Sequence, residues 1–273
     1  MSDRTILVTG ATDGIGKATA YALAEKGAHL LVHGRNQQKC EALALNLNKK
    51  YPASRVGYFV SDFSSFQSVK VMSEQIISEV DALHVLINNA GNFYRRRTLS
   101  EDSFELTFAV NHLAPFLLTL NLLDLLKASA PARIVNVSST AHKSARADDL
   151  SDLMGERGYD PFSAYSLSKL ANVFFTQSLA DRLDPDKVTA NSLHPGVVDT
   201  KLLRNSYNMR GISIEEGART SVYLAVSPEI TGTSGKYYQN ETEGRASSVA
   251  RDRDLQEELW RQSMDMVRPY LIN

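Results

Sequence analysis

Apolar and polar positions follow two rhythms along this chain. Short β-rich apolar runs recur at residues 5–9, 30–32, 56–60, 83–87, 134–137, 188–193 and 235–238. Between them lie stretches with helical spacing, at 14–26, 37–50, 69–80, 101–127, 164–183 and 252–266. Pro115 falls inside the longest of these and predicts a kink or break there. Strand alternating with helix at this spacing predicts βαβ units. The strands read as unbroken apolar runs, as they do where both faces of a sheet are covered. The pattern therefore predicts an α/β fold, a doubly wound parallel sheet of about seven strands with helices on both faces.

No Pro-, Gly- or Ser-rich linker, repeat or low-complexity tract divides residues 1–273, so a single domain is expected. Two stretches break the rhythm, 141–162 and 199–213. Both follow strands, where α/β sheets bind ligands, so both are expected to be substrate loops. The segment near 252–266 is expected to be a C-terminal helix.

Composition narrows the function classes. With 43% hydrophobic and 22% charged residues, the chain is ordinary globular protein rather than disordered or fibrous. Thirty Lys and Arg balance 31 Asp and Glu, which gives no general attraction to nucleic acid or anionic lipid. The run Arg95-Arg96-Arg97 reads as a solvated loop. The single cysteine, Cys40, excludes an internal disulfide and a Cys-rich metal site. The six histidines lack metal-ligand spacing, and His142 and His194 read as loop or packing residues, so no metal is expected. No apolar run reaches the roughly 18 residues of a membrane span. With the first strand near Thr5, neither a signal peptide nor a membrane anchor is expected, and the location expected is cytoplasmic.

The first strand runs into Val8-Thr9-Gly10-Ala11-Thr12-Asp13-Gly14-Ile15-Gly16, which opens the first helix. Gly10 would allow the tight turn, Gly14 the approach of backbone to a pyrophosphate, and Gly16 close helix–strand packing. A helix N-terminus at this place faces an anion with free N–H groups and a positive dipole end. Thr12, Asp13 and Ile15 share the loop as candidate cofactor contacts. The layout is that of a Rossmann-type dinucleotide fold. The second strand ends His33-Gly34-Arg35-Asn36, with no acid for a ribose 2′-hydroxyl. Arg35 instead offers a planar cation to a 2′-phosphate, which favours NADP(H) over NAD(H). Asp13 opposes this with a negative charge near the same turn.

Tyr165 and Lys169 stand four apart near the start of a long helix, hence on one face. A phenol ionises near pH ~10, and a neighbouring ammonium favours its phenolate. Ser138 and Ser139 close the fifth strand, where a hydroxyl can meet a substrate oxygen.

Taken together these motifs resemble the short-chain dehydrogenases/reductases. The resemblance runs from Thr5 to about Tyr238. It rests on Thr9–Gly16, Asp62, Asn88-Asn89-Ala90-Gly91, Asn111, Ser138-Ser139, Tyr165 with Lys169, and His194-Pro195-Gly196 followed by Thr200. Ile134-Val135-Asn136-Val137-Ser138-Ser139, Ser168-Lys169-Leu170-Ala171-Asn172 and the long spacer from Ser139 to Tyr165 resemble the retinol-dehydrogenase-like branch.

The resemblance implies an alcohol–carbonyl oxidoreductase. Tyr165 would protonate the carbonyl oxygen as hydride arrives from the nicotinamide. Lys169 would bind the nicotinamide ribose and lower the tyrosine pKa. Ser139, rather than Ser138, would hold the carbonyl, and Asn111 would hold a water linking Lys169 to solvent. Asp62 would contact adenine, with Asn89, Ala90 and Gly91 along the adenine-ribose path. Pro195, Gly196, Val198 and Thr200 would cradle the nicotinamide and diphosphate. The implied partner is a small alcohol, ketone or aldehyde, and the implied assembly a homodimer or homotetramer. Animal retinol dehydrogenases of this branch carry a hydrophobic N-terminal segment, so a soluble carbonyl competes here with a retinoid. Two other readings are a cofactor-binding regulatory or scaffold protein without Tyr165, Lys169 and Ser139 chemistry, and reduction of a carbon–carbon double bond.

Overall fold

The structure, a computed structural model, describes residues 4–207 and 210–272. Eight strands form one sheet in the order β3-β2-β1-β4-β5-β6-β7-β8. They are β1 Thr5–Val8, β2 His29–Gly34, β3 Val56–Val60, β4 Val85–Asn88, β5 Ala132–Val137, β6 Val188–His194, β7 Tyr237–Gln239 and β8 Thr242–Gly244. All neighbours pair in parallel except β7 with β8. The eighth strand is one more than the pattern predicts. It is three residues long and mostly exposed, so no apolar run announces it.

Alternate residues of each central strand enter opposite apolar layers. Leu7, Leu31, Leu86 and Ile134 join one core, while Ile6, Val8, Leu30, Val32, Ile87 and Val135 join the other. The first layer packs under α3 (Phe66–Glu79), α5 (Ala114–Asn121), α7 (Pro161–Ala180) and α10 (Arg253–Val267). The second packs under α1 (Gly14–Glu25), α2 (Gln37–Lys50) and α9 (Ile214–Val226). Both faces being buried explains the unbroken apolar runs. The strand order reverses between β1 and β4, which opens a crevice at their carboxyl ends.

The 101–127 stretch is several pieces rather than one helix. After α4 (Leu106–Phe108) comes a π turn at Ala109–Leu113, then α5, then α6 (Leu123–Ala128). Pro115 lies in the first turn of α5, where its missing N–H is tolerated. An α-helix would bond the Asn111 carbonyl to the N–H four residues on, and Pro115 has none to give. The 141–162 stretch is also less irregular than its composition suggests, with 3-10 turns at Thr140–Ser144 and Ala147–Asp152. Within 199–213 a short helix, α8 (Lys201–Tyr207), forms, and residues 208 and 209 lie outside the described part.

Candidate active site

A cleft of about 760 Å³ runs across the carboxyl ends of the central strands. The glycine turn after β1 forms its floor. Gly10 has φ +63°, and a Cβ there would stand 2.8 Å from Ala90 Cα. Gly16 lets α1 approach so closely that a Cβ would lie 2.4 Å from the Gly10 carbonyl oxygen. Thr12, Asp13, Gly14 and Ile15 line the same floor, and Asn89, Ala90 and Gly91 the wall after β4. Asn89 Nδ2 donates to the Thr9 carbonyl at 2.8 Å, locking that wall to the glycine turn.

One end of the cleft is cationic. Arg35 lies there with Asn36 and Lys39, and Asp62 lies close by on the same wall. Asn36 caps α2 by accepting from Lys39 N–H at 3.0 Å. Lys39 was not singled out from sequence, although a lysine in the first turn of a helix opposes the helix dipole and thereby signals a special role. Asp13 does not project its charge freely into the cleft. Its carboxylate meets Lys201 Nζ at 2.5 Å and accepts from Gly14 N–H, and these contacts hold its pKa below the usual range.

His33 is a second residue the sequence did not mark. Its Nδ1 accepts Gly10 N–H at 3.3 Å, its Nε2 meets the Ser61 carbonyl at 3.0 Å, and its ring stacks on Phe63. These partners require a neutral ring protonated at Nε2. Burial pushes its pKa down to about 4.

The other end holds the side chains expected to do chemistry. Asp160 caps α7 by accepting from Ser163 N–H at 2.7 Å, and Pro161 begins the helix. Tyr165 and Lys169 then face the cleft one turn apart, with Lys169 Nζ 5.6 Å from the Tyr165 ring centre. Lys169 is buried, donates to the Val137 carbonyl at 3.1 Å, and has its pKa lowered to about 8 by desolvation. It remains mostly an ammonium at neutral pH.

Ser138 and Ser139 divide their work. The Ser138 hydroxyl is buried and donates to the Lys169 backbone carbonyl at 2.7 Å. The Ser139 hydroxyl accepts Ala141 N–H at 3.2 Å, which leaves its proton to offer. Both serines touch the cleft.

Asn111 is the one expected site residue that does not line the cleft. It lies fully buried behind the wall, on the π turn. Its amide donates to the Asn92 carbonyl at 2.9 Å and to Ser168 Oγ at 3.0 Å, and its Oδ1 accepts Asn92 N–H at 2.7 Å. A Cβ on Gly91 would lie 3.2 Å from Asn111 Oδ1 and 3.4 Å from Lys169 Nζ, so glycine keeps the space between them open. The π turn is anchored by Glu105, buried and accepting from Thr107 N–H and Phe108 N–H. Tyr159 joins this carboxylate to the Tyr94 carbonyl, and burial pushes the phenol up to about 12.

Pro195, Gly196, Val198 and Thr200 line the wall after β6, as do Val197, Leu202 and Leu203. Of the 141–162 stretch, only Ala141, Ser144 and Phe162 reach the cleft. Phe93, Tyr94 and Val110 add further apolar surface. His194 lines the cleft with Nδ1 accepting Thr140 N–H, and burial lowers its pKa to about 4. Among the described residues, no group of three or more His, Cys, Asp or Glu is placed to hold a metal. Among the same residues, no helix is long and apolar enough to cross a membrane.

Comparison with known proteins agrees with this architecture. The family model for short chain dehydrogenases matches residues 4–211. Retinol dehydrogenase 14 of Mus musculus is 40% identical over 98% of this chain and 86% of its own length. Retinol dehydrogenase 13 of Homo sapiens is 39% identical over 97% of this chain and 84% of its own. A crystal structure of an uncharacterized Mycobacterium paratuberculosis protein superposes with a TM-score of 0.81 at 31% identity, covering 97% and 94% of the two chains. A short chain dehydrogenase of Escherichia coli, complexed with NADPH, superposes with a TM-score of 0.73 at 25% identity, covering 88% of this chain and 97% of that one. The chain thus belongs to the short-chain dehydrogenase/reductase family, on its retinol-dehydrogenase-like branch, and is an oxidoreductase that acts on CH–OH donors.

Proposed function

We propose that the protein interconverts an alcohol and a ketone or aldehyde with NADP(H), using Tyr165 as the proton donor and acceptor. One observation carries this reading. A single cleft holds a phenol, an ammonium and a serine hydroxyl at one end, and Arg35 with Lys39 at the other.

The residues present fit a phosphorylated dinucleotide. The α1 N-terminus, with Gly14, Ile15 and Gly16, lines the cleft and sets the positive end of its dipole there. The end of β2 carries no carboxylate to repel a 2′-phosphate, and Arg35 and Lys39 supply two cations for it. The pairing of Asp13 with Lys201 offsets one nearby negative charge that opposes this preference. Asp62, Asn89, Ala90 and Gly91 would hold the adenosine half, and Pro195, Gly196, Val198 and Thr200 the nicotinamide half. When bound, the nicotinamide supplies hydride to the carbonyl carbon or takes it from the alcohol.

The chain's own residues manage the oxygen. Ser139 donates a hydrogen bond to it, and Tyr165 delivers the proton in reduction and removes it in oxidation. Lys169 holds the ribose hydroxyls and keeps positive charge beside Tyr165, which favours the phenolate. Asn111 holds a water that links Lys169 to solvent. Its side-chain donors are already bonded, and Pro115 withholds the N–H that an α-helix would give its backbone carbonyl.

Phe93, Phe162, Val197, Leu202 and Leu203 give the reactive end an apolar wall, which suits an apolar carbonyl. The names of the relatives make all-trans-retinal one candidate, and nonanal represents simpler aldehydes. The deciding experiment follows NADPH and NADH consumption with each aldehyde. Turnover with NADPH exceeding that with NADH supports the reading. Cofactor binding without turnover would instead favour a regulatory or scaffold role.

A further inference from the structure

Ser139 leaves β5 as the N-cap of the turn Thr140–Ser144. Its backbone carbonyl accepts twice from one residue, from His142 N–H at 3.1 Å and from His142 Nδ1 at 2.7 Å. A carbonyl only accepts, so Nδ1 carries the proton. Nε2 of the same ring accepts Ser247 N–H at 3.1 Å. A backbone N–H only donates, so Nε2 is bare. The two partners together fix one neutral tautomer.

The ring is wholly buried and packs edge-on against Tyr237, with centroids 4.8 Å apart. It does not line the cleft, although Ser139, Thr140 and Ala141 around it do. The turn's own His142 N–H bond is enough to close it, so local structure does not require a histidine here. The ring adds a rigid tie between the end of β5 and the segment after β8, 105 positions away. Ser139 Oγ is already set by Ala141 N–H from the same turn. Rotating the Ser139–Thr140 peptide would move the Ala141 N–H that holds this hydroxyl, and so release the hydroxyl from its present direction.

We propose that His142 is a positioning residue for the reaction, tying the Ser139 carbonyl to the Ser247 backbone and so aiming the Ser139 hydroxyl at the substrate oxygen. This rests on the reading of Ser139 as the group that holds that oxygen. A displacement of about 1 Å at a reacting group lowers turnover on the order of 100-fold. The effect of losing the tie should thus appear in kcat and not in cofactor binding.

The test compares wild type, His142→Phe, His142→Asn, His142→Gln and Ser139→Ala, using whichever of nonanal and all-trans-retinal turns over faster with NADPH. His142→Phe keeps a ring against Tyr237 and removes both side-chain hydrogen bonds. Its kcat should fall about 10-fold or more, with the NADPH KM within about twofold of wild type. The Asn amide returns a donor near the Nδ1 position, so His142→Asn should restore kcat to within about threefold. The Gln amide reaches toward Ser247 instead, so His142→Gln should stay slow. If His142→Phe does not fold, the contrast between Asn and Gln decides alone.

A merely structural role would lower the melting temperature of the variants while leaving kcat of the folded protein unchanged. Wild-type kcat in folded His142→Phe, or equal kcat in the Asn and Gln variants, would overturn the proposal. Ser139→Ala separates the two levels. If it too keeps wild-type kcat, the Ser139 reading itself falls, and the positioning role falls with it. If Ser139→Ala is slow while His142→Phe is fast, only the positioning role is wrong.

Discussion

The Ser138 hydroxyl donates to the backbone carbonyl of Lys169 at 2.7 Å, which ties the end of β5 to the helix that carries Tyr165. Its neighbour Ser139 makes no such bond and faces the cleft with a proton to give. Alanine at the two positions should therefore behave oppositely. Ser138→Ala should lower stability by about 1–3 kcal/mol, as loss of a buried hydrogen bond does, while keeping much of its turnover. Ser139→Ala loses only the cap bond to Ala141 N–H, so it should melt closer to wild type than Ser138→Ala, yet lose about 100-fold or more in kcat, the usual effect of removing one donor to a reacting oxygen. Thermal denaturation and steady-state rates on both variants check this. Reversed results would exchange the two roles.

Cofactor preference should reside in two cations rather than one. Arg35 and Lys39 lie at the same end of the cleft. Replacing either with Ala should weaken NADPH by roughly 10-fold or more, the effect of one charge-assisted bond, and leave NADH nearly unchanged. The double variant should bind the two cofactors about equally. Fluorescence titration of both reduced cofactors reads this directly, and an unchanged preference in the double variant would remove the assignment.

Tyr165→Phe deletes only the transferable proton. Turnover should drop by about 100-fold or more with NADPH affinity preserved. Lys169→Met should damage both, since the proposed ammonium serves the ribose as well. Lys169 loses its charge as pH rises through about 8, so wild-type cofactor affinity should weaken above that pH. Lys169→Met should show no such limb. Affinities measured from pH 7 to roughly 9.5 test this, and a limb persisting in the variant would assign it to another group.

What the sequence made legible was local. The glycine turn and the Tyr165–Lys169 pair depend on residues a few positions apart, and the βαβ rhythm on the period inside each element, so spacing reports them. The 101–127 stretch misled because an apolar run shows burial but not a π turn. The breaks lie at Ala109–Leu113, just before Pro115, which withholds the N–H an α-helix would give Asn111, and again near Leu122. The supports of the site were not legible because their partners are far off in the chain. His33 acts through Gly10 and Ser61, His142 through Ser247, and Glu105 through Tyr159. A histidine bonded on both ring nitrogens looks, in sequence, the same as one in a solvated loop. In sequence Ser139 is preferred over Ser138 only by resemblance, because the bond from the Ser138 hydroxyl to the Lys169 carbonyl spans 31 positions.

The buried histidines also set how the fold meets acid. His33 and His112 are fully enclosed and His194 largely so, and burial lowers each from 6.5 to about 4. His112 sits among Phe108, Phe116 and Phe175, with Nε2 2.9 Å from Ser263 Oγ. The unfolded chain binds these protons near pH 6.5, and the folded chain resists them until about pH 4. The stability they contribute is therefore complete above pH 6.5 and is lost as pH falls toward 4. For His33 and His112 the loss is on the order of 3 kcal/mol each, a large share of a domain's usual 5–15 kcal/mol. Denaturant unfolding should thus weaken steeply between about pH 6 and 5, with roughly two to three protons taken up by these three groups. His112→Asn, remote from the cleft, should reduce that pH slope by about one proton. An unchanged slope in a folded His112→Asn protein would mean that His112 takes up its proton at the same pH folded and unfolded, against the burial that surrounds it.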